Sequence, residues 1–375
     1  MNKPITLRVL DPGLFSTVQD LGRWGHQAVG VSPSGVMDEY AATLTNLLVG
    51  NSPQAPLLEM TLKGATVQFE EGGWVAIGGA ECGATLDGKQ VSNWSVFYAP
   101  QGATLRLGFV QDGCRMYLAI AGGIDVPLIL GSASTYLRAG FGGLEGRKLQ
   151  EGDVLKGRIA PLHQQTEGKY LEGTQSSFLK EESFVEGTKA LNLPEEHNIP
   201  QQFNLAQTPW LLPSKTLNLP ASQVPRYGGP LLLRVLLGPQ EDHFTEAGIH
   251  TFFHSTYTIS HEADRMGYRL EGPIIEHRGK ADILSDALAR GSIQVPGHGK
   301  PIVMMADHQT TGGYPKIGTV IQADQYLLAQ GKPGDEVRFF PATEEEALAA
   351  LIERKAKLTL VQKFLQEVYR CSGLT

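Results

Sequence analysis

IVMMADHQTTGGYPKIGTVI, running from Ile302 to Ile321, sets two apolar runs on either side of a polar loop that carries adjacent glycines. The flanks, Ile302 to Met305 and Ile317 to Ile321, read as buried strands that anchor the loop. Between them lie an acid, an amide, two threonines, a phenol and a lysine. Gly312 and Gly313 allow backbone amides to approach a ligand closely, while Asp307, Gln309, Thr310, Thr311 and Tyr314 offer donors and acceptors of fixed polarity. Two readings stay open for this loop. It is a binding element on a rigid scaffold, or a plain Thr/Gly turn between two strands.

The strand theme continues outward in both directions. Period-2 alternation places Ile5, Leu7 and Val9 on one face of ITLRVL, Ala65, Val67 and Phe69 on one face of ATVQFE, and Leu105 and Leu107 on one face of ATLRLGF. LLLRVLLG, TYTIS, GSIQV, KPIVMM and DEVRFF repeat it between Leu231 and Phe340. LRVL occurs at Leu7 to Leu10 and again at Leu233 to Leu236, and a Gly-Asp pair closes each half at Gly152-Asp153 and Gly334-Asp335, echoes compatible with duplication. With 44 glycines and 22 prolines in 375 residues, against roughly 12% in average usage, turns are frequent and short strands are favoured over long helices. From about Ala160 to Arg226 the composition shifts to Gln, Glu, Ser, Asn and Pro, which reads as an insertion or linker. Helices are few. Asp38 caps EYAATLTNLLV, with Gly50 in the place of a C-terminal glycine cap. Thr343 with Glu346 makes a capping box for a C-terminal helix carrying Leu348, Leu351, Ile352, Phe364, Leu365 and Val368. The expected division is therefore a β domain over 1–159, the insertion over 160–226, a second β domain over 227–341 and a helical tail over 342–375.

A net charge of −7 and a pI near 5.8, without a Lys/Arg cluster, argue against a nucleic-acid partner. The longest apolar runs are broken by Arg234 and Asp125 and are too short to span a bilayer. MNKPITLRV lacks the apolar core of a signal peptide. Cys82, Cys114 and Cys371 are few, odd in number and scattered, which points to a reducing cytoplasm rather than a disulfide framework.

Several motifs fail on inspection. GATLDGK, Gly83 to Lys89, matches the start of a phosphate-binding loop, but Gln90 stands where a Ser or Thr would hold magnesium, and Asp87-Gly88 signals a hairpin. GFGGLEG from Gly140 lacks dinucleotide-fingerprint spacing and reads as a loop. His243, His250, His254 and His261 have no Asp, Glu or Cys to complete a ligand pattern, and their neighbours alternate like a strand, so packing or surface histidines are expected and no metal. GSAS, Gly131 to Ser134, lacks the surroundings of an amidase serine.

GLFSTVQDLGRWGHQAVGVSPSGVMDEYAATLTNLLVGN (Gly13 to Asn51), AGGIDVPLILGSASTYLRAGFGGLEGRKLQEGD (Ala121 to Asp153), ADRMGYRLEGP (Ala263 to Pro273) and SDALARGSIQVPGHGKPIVMMADHQTTGGYPKIGTVIQAD (Ser285 to Asp324) closely resemble the biotin-dependent carboxyltransferase A/B subdomain family, also labelled allophanate hydrolase subunit 2. The resemblance covers nearly all of the chain outside Ala160 to Arg226 and the C-terminal tail. It implies a mainly β fold of two cyclophilin-like β-barrel domains with a few peripheral helices. Members of the family include the C component of bacterial 5-oxoprolinase, part of the carboxyltransferase region of urea carboxylase, and a regulator that binds a cyclophilin-like kinase inhibitor. No ATP-grasp glycine loop, biotinylation site or amidase signature occurs in this sequence, so the resemblance implies partners: a second cyclophilin-like subunit (B) and a lactam-utilisation-type subunit (A). ATP is then used by the complex, and biotin enters only if the function is carboxyl transfer to urea or another amide.

On that basis Asp307, Lys316 and Arg265 are expected as catalytic residues, with Asp307 accepting an amide N–H and the two cations meeting a carboxylate or phosphate. Gln309, Thr310, Thr311, Gly312, Gly313, Tyr314 and Gln294 are the expected substrate contacts from the second half. Ser34, Gly35, Asp38 and Asn46 are their counterparts in the first. Asp307 and Lys316 are expected to be exposed cleft residues whose removal leaves stability almost unchanged. The leading functional expectation is one component, inactive alone, of an ATP-dependent 5-oxoprolinase that opens a small lactam to glutamate. Carboxyl transfer and a regulatory binding role are the other two.

Overall fold

The structure, a computed structural model, describes residues 3–158 and 216–371. Alternation builds the first half. The inward faces of Thr6–Asp11, Thr66–Glu71 and Thr104–Arg106 bury Leu7, Val9, Val67, Phe69 and Leu105. Val154–Lys156 at one edge and the hairpin Thr85–Leu86/Lys89–Gln90 at the other complete a six-stranded sheet. A second six-stranded sheet runs Thr216–Asn218, Ser95–Ala99, Gly73–Gly79, Arg115–Ile120, Leu57–Thr61, Phe15–Gln19. It contributes Leu58, Met60, Val75, Ile77, Phe97 and Leu118 to the shared core. All six residues of Arg115–Ile120 are buried, because this central strand is covered on both faces. Helix α1 (Glu39–Leu48) lays Ala41, Leu44 and Leu48 on its outer side. As expected, Asp38 caps α1 by accepting the Ala41 amide at 2.8 Å, and Gly50 takes a φ of 76° beyond its C-terminus.

The second half closes. Leu231–Leu237, Lys316–Val320, Ser292–Gln294, Ile302–Met304, Gly267–Glu271, Tyr257–Ile259 and Glu336–Pro341 form a seven-stranded barrel. The first and last of these strands pair in parallel, Leu231 opposite Val337. Helix α2 (Glu246–His254) plugs the barrel with Phe252, whose ring stacks on Phe339 at 4.6 Å. Helices α3 (Gln325–Ala329) and α4 (Glu344–Cys371) lead back to the first half, where Val361, Phe364 and Leu365 join the layer over α1. The chain is thus mainly β with four α-helices among the described residues. The barrel expected in both halves closes only in the second, while in the first the strands divide into two facing sheets.

Local expectations fare unevenly. Asp87 and Gly88 both take positive φ in a two-residue hairpin, the turn that replaces a phosphate-binding loop. Thr343 and Glu346 cap each other's backbone at the start of α4. However, Leu348 and Ile352 are exposed, so only the later part of that apolar face is packed. HTFFH is helical, not a strand: Thr245 caps α2 through the Gly248 amide, and the i, i+4 pair His250 and His254 stacks at 3.9 Å. Thr216–Asn218, inside the stretch read as insertion or linker, forms an edge strand on Ser95–Ala99; most of that stretch lies outside the described residues. Among the described residues no helix is long and apolar enough to cross a membrane.

The two halves share a core. Met37, from the loop before α1, is fully buried among barrel residues such as Phe244, Val295 and Ile317. Beside it runs a buried polar chain. Glu59 accepts the Tyr117 hydroxyl at 2.9 Å, Tyr117 accepts the Asp38 amide at 2.8 Å, and Asp38 accepts the Gln330 side-chain amide at 2.8 Å and the Tyr227 hydroxyl at 3.0 Å. Gln330 in turn accepts the Cys114 and Arg115 amides. Burial pushes the Asp38 carboxyl above its ordinary pKa, although the Ala41, Gln330 and Tyr227 donors oppose the rise. The native state therefore binds this proton more tightly than the unfolded chain. Its contribution is fully present below the ordinary carboxylate pKa and is lost as pH rises through the raised native value. Asp38→Asn cannot titrate, so its destabilisation relative to wild type should shrink between about pH 4 and pH 7. Paired denaturant melts across that range check this; a difference that grows with pH contradicts it.

Candidate functional site

The loop from Val31 to Met37 is threaded into the seam between the halves, and two glycines allow it. A Cβ on Gly35 would stand 2.9 Å from the Gly22 nitrogen, and one on Gly22 would stand 2.8 Å from the Pro33 carbonyl oxygen. Residues 20–23 and 33–35 therefore meet backbone to backbone. Ser34, between them, has a φ of 55°, a left-handed conformation that costs a non-glycine residue about 1 kcal/mol or more.

Two arginines of the second half hold this loop. Arg265 makes a two-pronged bond to Asp307, Nε to Oδ2 at 2.9 Å and Nη2 to Oδ1 at 3.0 Å. It also donates through Nη1 to Glu59 and through Nη2 to the Gly35 carbonyl at 2.5 Å. Arg290 donates to the Val36 carbonyl and to Glu39, each at 3.1 Å, and to the Met37 carbonyl. Three successive carbonyls of the loop thus face two guanidinium groups. Burial alone would lower the Arg265 pKa, but the Asp307 and Glu59 charges overcome it and hold the group above its ordinary value. Ser32 adds a hydroxyl bond to the Ala306 carbonyl at 3.4 Å.

Three buried polar atoms around this loop have no hydrogen-bond partner among the described residues: Ser34 Oγ, Arg23 Nη1 and Arg290 Nε. Arg23 otherwise donates to the Ser134 carbonyl and lies 4.9 Å over the Phe141 ring. Buried polar groups of this kind cost roughly 1 to 3 kcal/mol each if left unpaired, so each calls for a water, an ion, a ligand or a functional role to account for it. His308 lies next to Asp307 and is buried. Its Nδ1 is 2.7 Å from the Gln309 carbonyl, an oxygen that only accepts, so Nδ1 carries the proton. Burial holds the ring's pKa down, which leaves Nε2 as an acceptor.

The other sequence candidates fall in different places. Asp307 is 5% exposed and committed to Arg265, and Lys316 is 5% exposed, donating to Asp286 at 2.5 Å and to the Ala287 carbonyl at 2.7 Å. The expectation of exposed cleft residues is corrected on both: each is a buried member of an ion pair. Gly312 is half-buried, and a Cβ there would meet the Gln294 side chain at 2.5 Å, so glycine is needed at this position for packing. Gln294 is buried and donates to the Tyr314 carbonyl. Thr311–Gly312 pairs with Asp286–Ala287 as a small ribbon. Gln309, Thr311 and Tyr314 are exposed on it, Thr310 and Gly313 half-buried. Asp38 is a helix cap in the seam's polar chain, and Asn46 holds the loop after α1 by donating to the Ala55 carbonyl at 2.9 Å. Ser132 and Ser134 both donate to Asp20, a structural role for the GSAS turn. Among the described residues no group of three or more His, Cys, Asp or Glu is placed to hold a metal ion.

A family model described as carboxyltransferase domain, subdomain A and B, matches residues 29–341. The chain belongs to this family. It is 38% identical to the C component of 5-oxoprolinase from Escherichia coli over 92% of this chain and 94% of that one, and 32% identical to the Haemophilus influenzae protein of the same name over 94% and 96%. Among solved structures, urea amidolyase of K. lactis superposes with a TM-score of 0.77 and 28% identity, covering 96% of this chain and 20% of that chain.

Sequence reasoning gave Ser34 and Gly35 as first-half substrate contacts and Arg265 and Asp307 as catalytic candidates; in the seam the Gly35 carbonyl meets Arg265, which holds Asp307. It missed Glu59, Arg290, Arg23 and His308. Glu59 left a signal, as the one charge in the buried strand LLEMT. Because Asp307 balances a buried guanidinium, Asp307→Ala is expected to cost about 3 to 5 kcal/mol of stability. Lys316→Ala, whose partner Asp286 is half exposed, is expected to cost roughly 1 to 2 kcal/mol. Chemical denaturation of both variants checks the order; equal, small losses would place Asp307 outside the seam's ionic frame.

Proposed function

We propose that this chain is the C component of an ATP-dependent 5-oxoprolinase, acting with partner subunits to open 5-oxoproline to glutamate. One observation carries the reading. The E. coli relative of that name is 38% identical and is matched along 94% of its length, whereas Saccharomyces cerevisiae urea amidolyase, 30% identical, is matched along 17% of its length. The partners in this reading are a second cyclophilin-like subunit (B) and a lactam-utilisation-type subunit (A), assembled in the cytoplasm. ATP is consumed by the assembly, and this chain alone is inactive. Biotin belongs to the second reading, a carboxyltransferase component, which the 0.77 superposition on urea amidolyase favours.

A lactam carbonyl is protected by amide resonance, and phosphorylation of its oxygen makes the carbon a better electrophile for water. The seam's part is to bind and orient. Ser34 Oγ and Arg23 Nη1 are donors for a substrate carbonyl or carboxylate oxygen. Arg265, fixed by Asp307 and Glu59, positions the Ser34–Gly35 turn. Lys316 braces the ribbon of Thr311–Gly312 and Asp286–Ala287, and in this reading Gln309, Thr310, Thr311, Gly313 and Tyr314 are substrate contacts away from the seam. The neutral His308 Nε2 accepts a proton.

The test is co-expression with both partner subunits and an assay of 5-oxoproline-dependent ATP hydrolysis, beside the isolated chain. Turnover is expected only in the assembly, and an assembly without it sinks the substrate assignment. Ser34→Ala removes a hydroxyl that has no partner among the described residues, so stability should move by about 0.5 kcal/mol or less while turnover falls roughly 10²-fold. Wild-type turnover in that variant would remove the seam from the chemistry.

A further inference from the structure

On another face of the molecule a cleft of about 360 Å³ opens between α3, α4 and the segment 222–226. That volume lies within the roughly 300 to 1,000 Å³ of small-molecule sites. Its charged lining is Arg226, Arg234, Arg354 and Lys357 against Asp324 and Glu353, a formal excess of two positive charges on a chain whose net charge is −7.

The carboxylates are occupied and the guanidinium groups only in part. Asp324 is held in a two-pronged bond by Arg234 Nε at 2.9 Å and Nη2 at 2.7 Å, and it also accepts the Arg234 amide. Glu353 is paired with Lys357 at 2.7 Å. Arg234 keeps its Nη1. Arg354 spends only Nη1, on the Gln322 carbonyl at 2.8 Å. Arg226 makes no hydrogen bond or ion pair among the described residues. Lys357 and Glu353 form an exposed i, i+4 pair, worth a few tenths of a kcal/mol, so the ammonium is readily redirected. What the cleft has to spare is N–H capacity.

Arg354 is placed in advance. Its guanidinium lies 5.5 Å from the Tyr40 ring centroid and 5.8 Å from that of Tyr326, and the two rings are 5.6 Å apart. A guanidinium held by stacking loses less freedom when it takes an oxyanion. The same stacking occupies the tyrosine faces, so recognition rests on charge rather than on a stacked base.

We propose that this cleft is a binding site for a small oxyanion, phosphate or a carboxylate-bearing metabolite, held by Arg226 and Arg354 with Lys357 at the rim. The site shares no residue with the loop 31–37 and does not depend on the functional reading above. Calorimetric titration of the purified full chain at low salt with inorganic phosphate, and separately with L-glutamate, should give saturable one-to-one binding of at least one probe with Kd below about 1 mM. Phosphate alone, or glutamate alone, identifies the source of the oxyanion. The double variant Arg226→Ser/Lys357→Ser should weaken that binding tenfold or more. The saturating probe should raise the wild-type melting temperature and leave the variant's unchanged. No saturable heat with either probe, or equal affinity in wild type and variant, overturns the proposal.

Discussion

A single guanidinium, that of Arg265, stands between a carboxylate from each half of the chain, Glu59 from the first and Asp307 from the second. Taking three charges out of water is unfavourable unless each finds its partners. Here the geometry supplies them: four donor contacts from Arg265, and for Glu59 the Met37 amide and the Tyr117 hydroxyl as well. Removing Arg265 leaves two carboxylates without their cation, and removing either carboxylate leaves guanidinium donors unpaired, in an interior that cannot solvate them. The arrangement ties a strand of the first half to two segments of the second through directional bonds. Met37 enters the barrel's core with its backbone held on both sides, its nitrogen by Glu59 and its carbonyl by Arg290.

The consequence for the candidate site is rigidity of the backbone with spare capacity in the side chains. Ser34 sits in a left-handed conformation between Gly22's contact and Gly35's carbonyl bond. Its hydroxyl has no native partner among the described residues. Strain and an unmade hydrogen bond at one residue are tolerated where surrounding structure over-determines the position. The seam provides that surrounding, and this is why the loop at 31–37, rather than the glycine pair at 312–313, is where the geometry concentrates.

Much of the fold was legible because it depends on local periodicity. Leu7, Val9, Val67, Phe69 and Leu105 alternate and are buried on one side, and Asp38, Thr343 and Glu346 are caps whose chemistry lies within a few residues of the helix they start. What was not legible depends on pairing across long separations. Asp307 and Lys316 look alike as polar residues of a loop, and nothing local reveals that Arg265 is 42 positions away and Asp286 is 30. HTFFH misled because a short apolar run carries both periods, and the decisive signal was the Thr245 cap outside it. The exposed Leu348 and Ile352 show the same limit from the other side: a helical face predicts an apolar stripe but not what meets it.

The parallel pairing of Leu231–Leu237 with Glu336–Pro341 closes the barrel with its first and last strands. No truncation within that span leaves a smaller closed unit, and during synthesis the barrel stays open until Pro341 has left the ribosome. Until then Leu231–Leu237 and Tyr257–Ile259 both lack the strand that separates them, and their edges are open to other chains. Helix α4, the next element made, then packs Val361, Phe364 and Leu365 against the first half. Chain order thus makes the final strand and helix a latch.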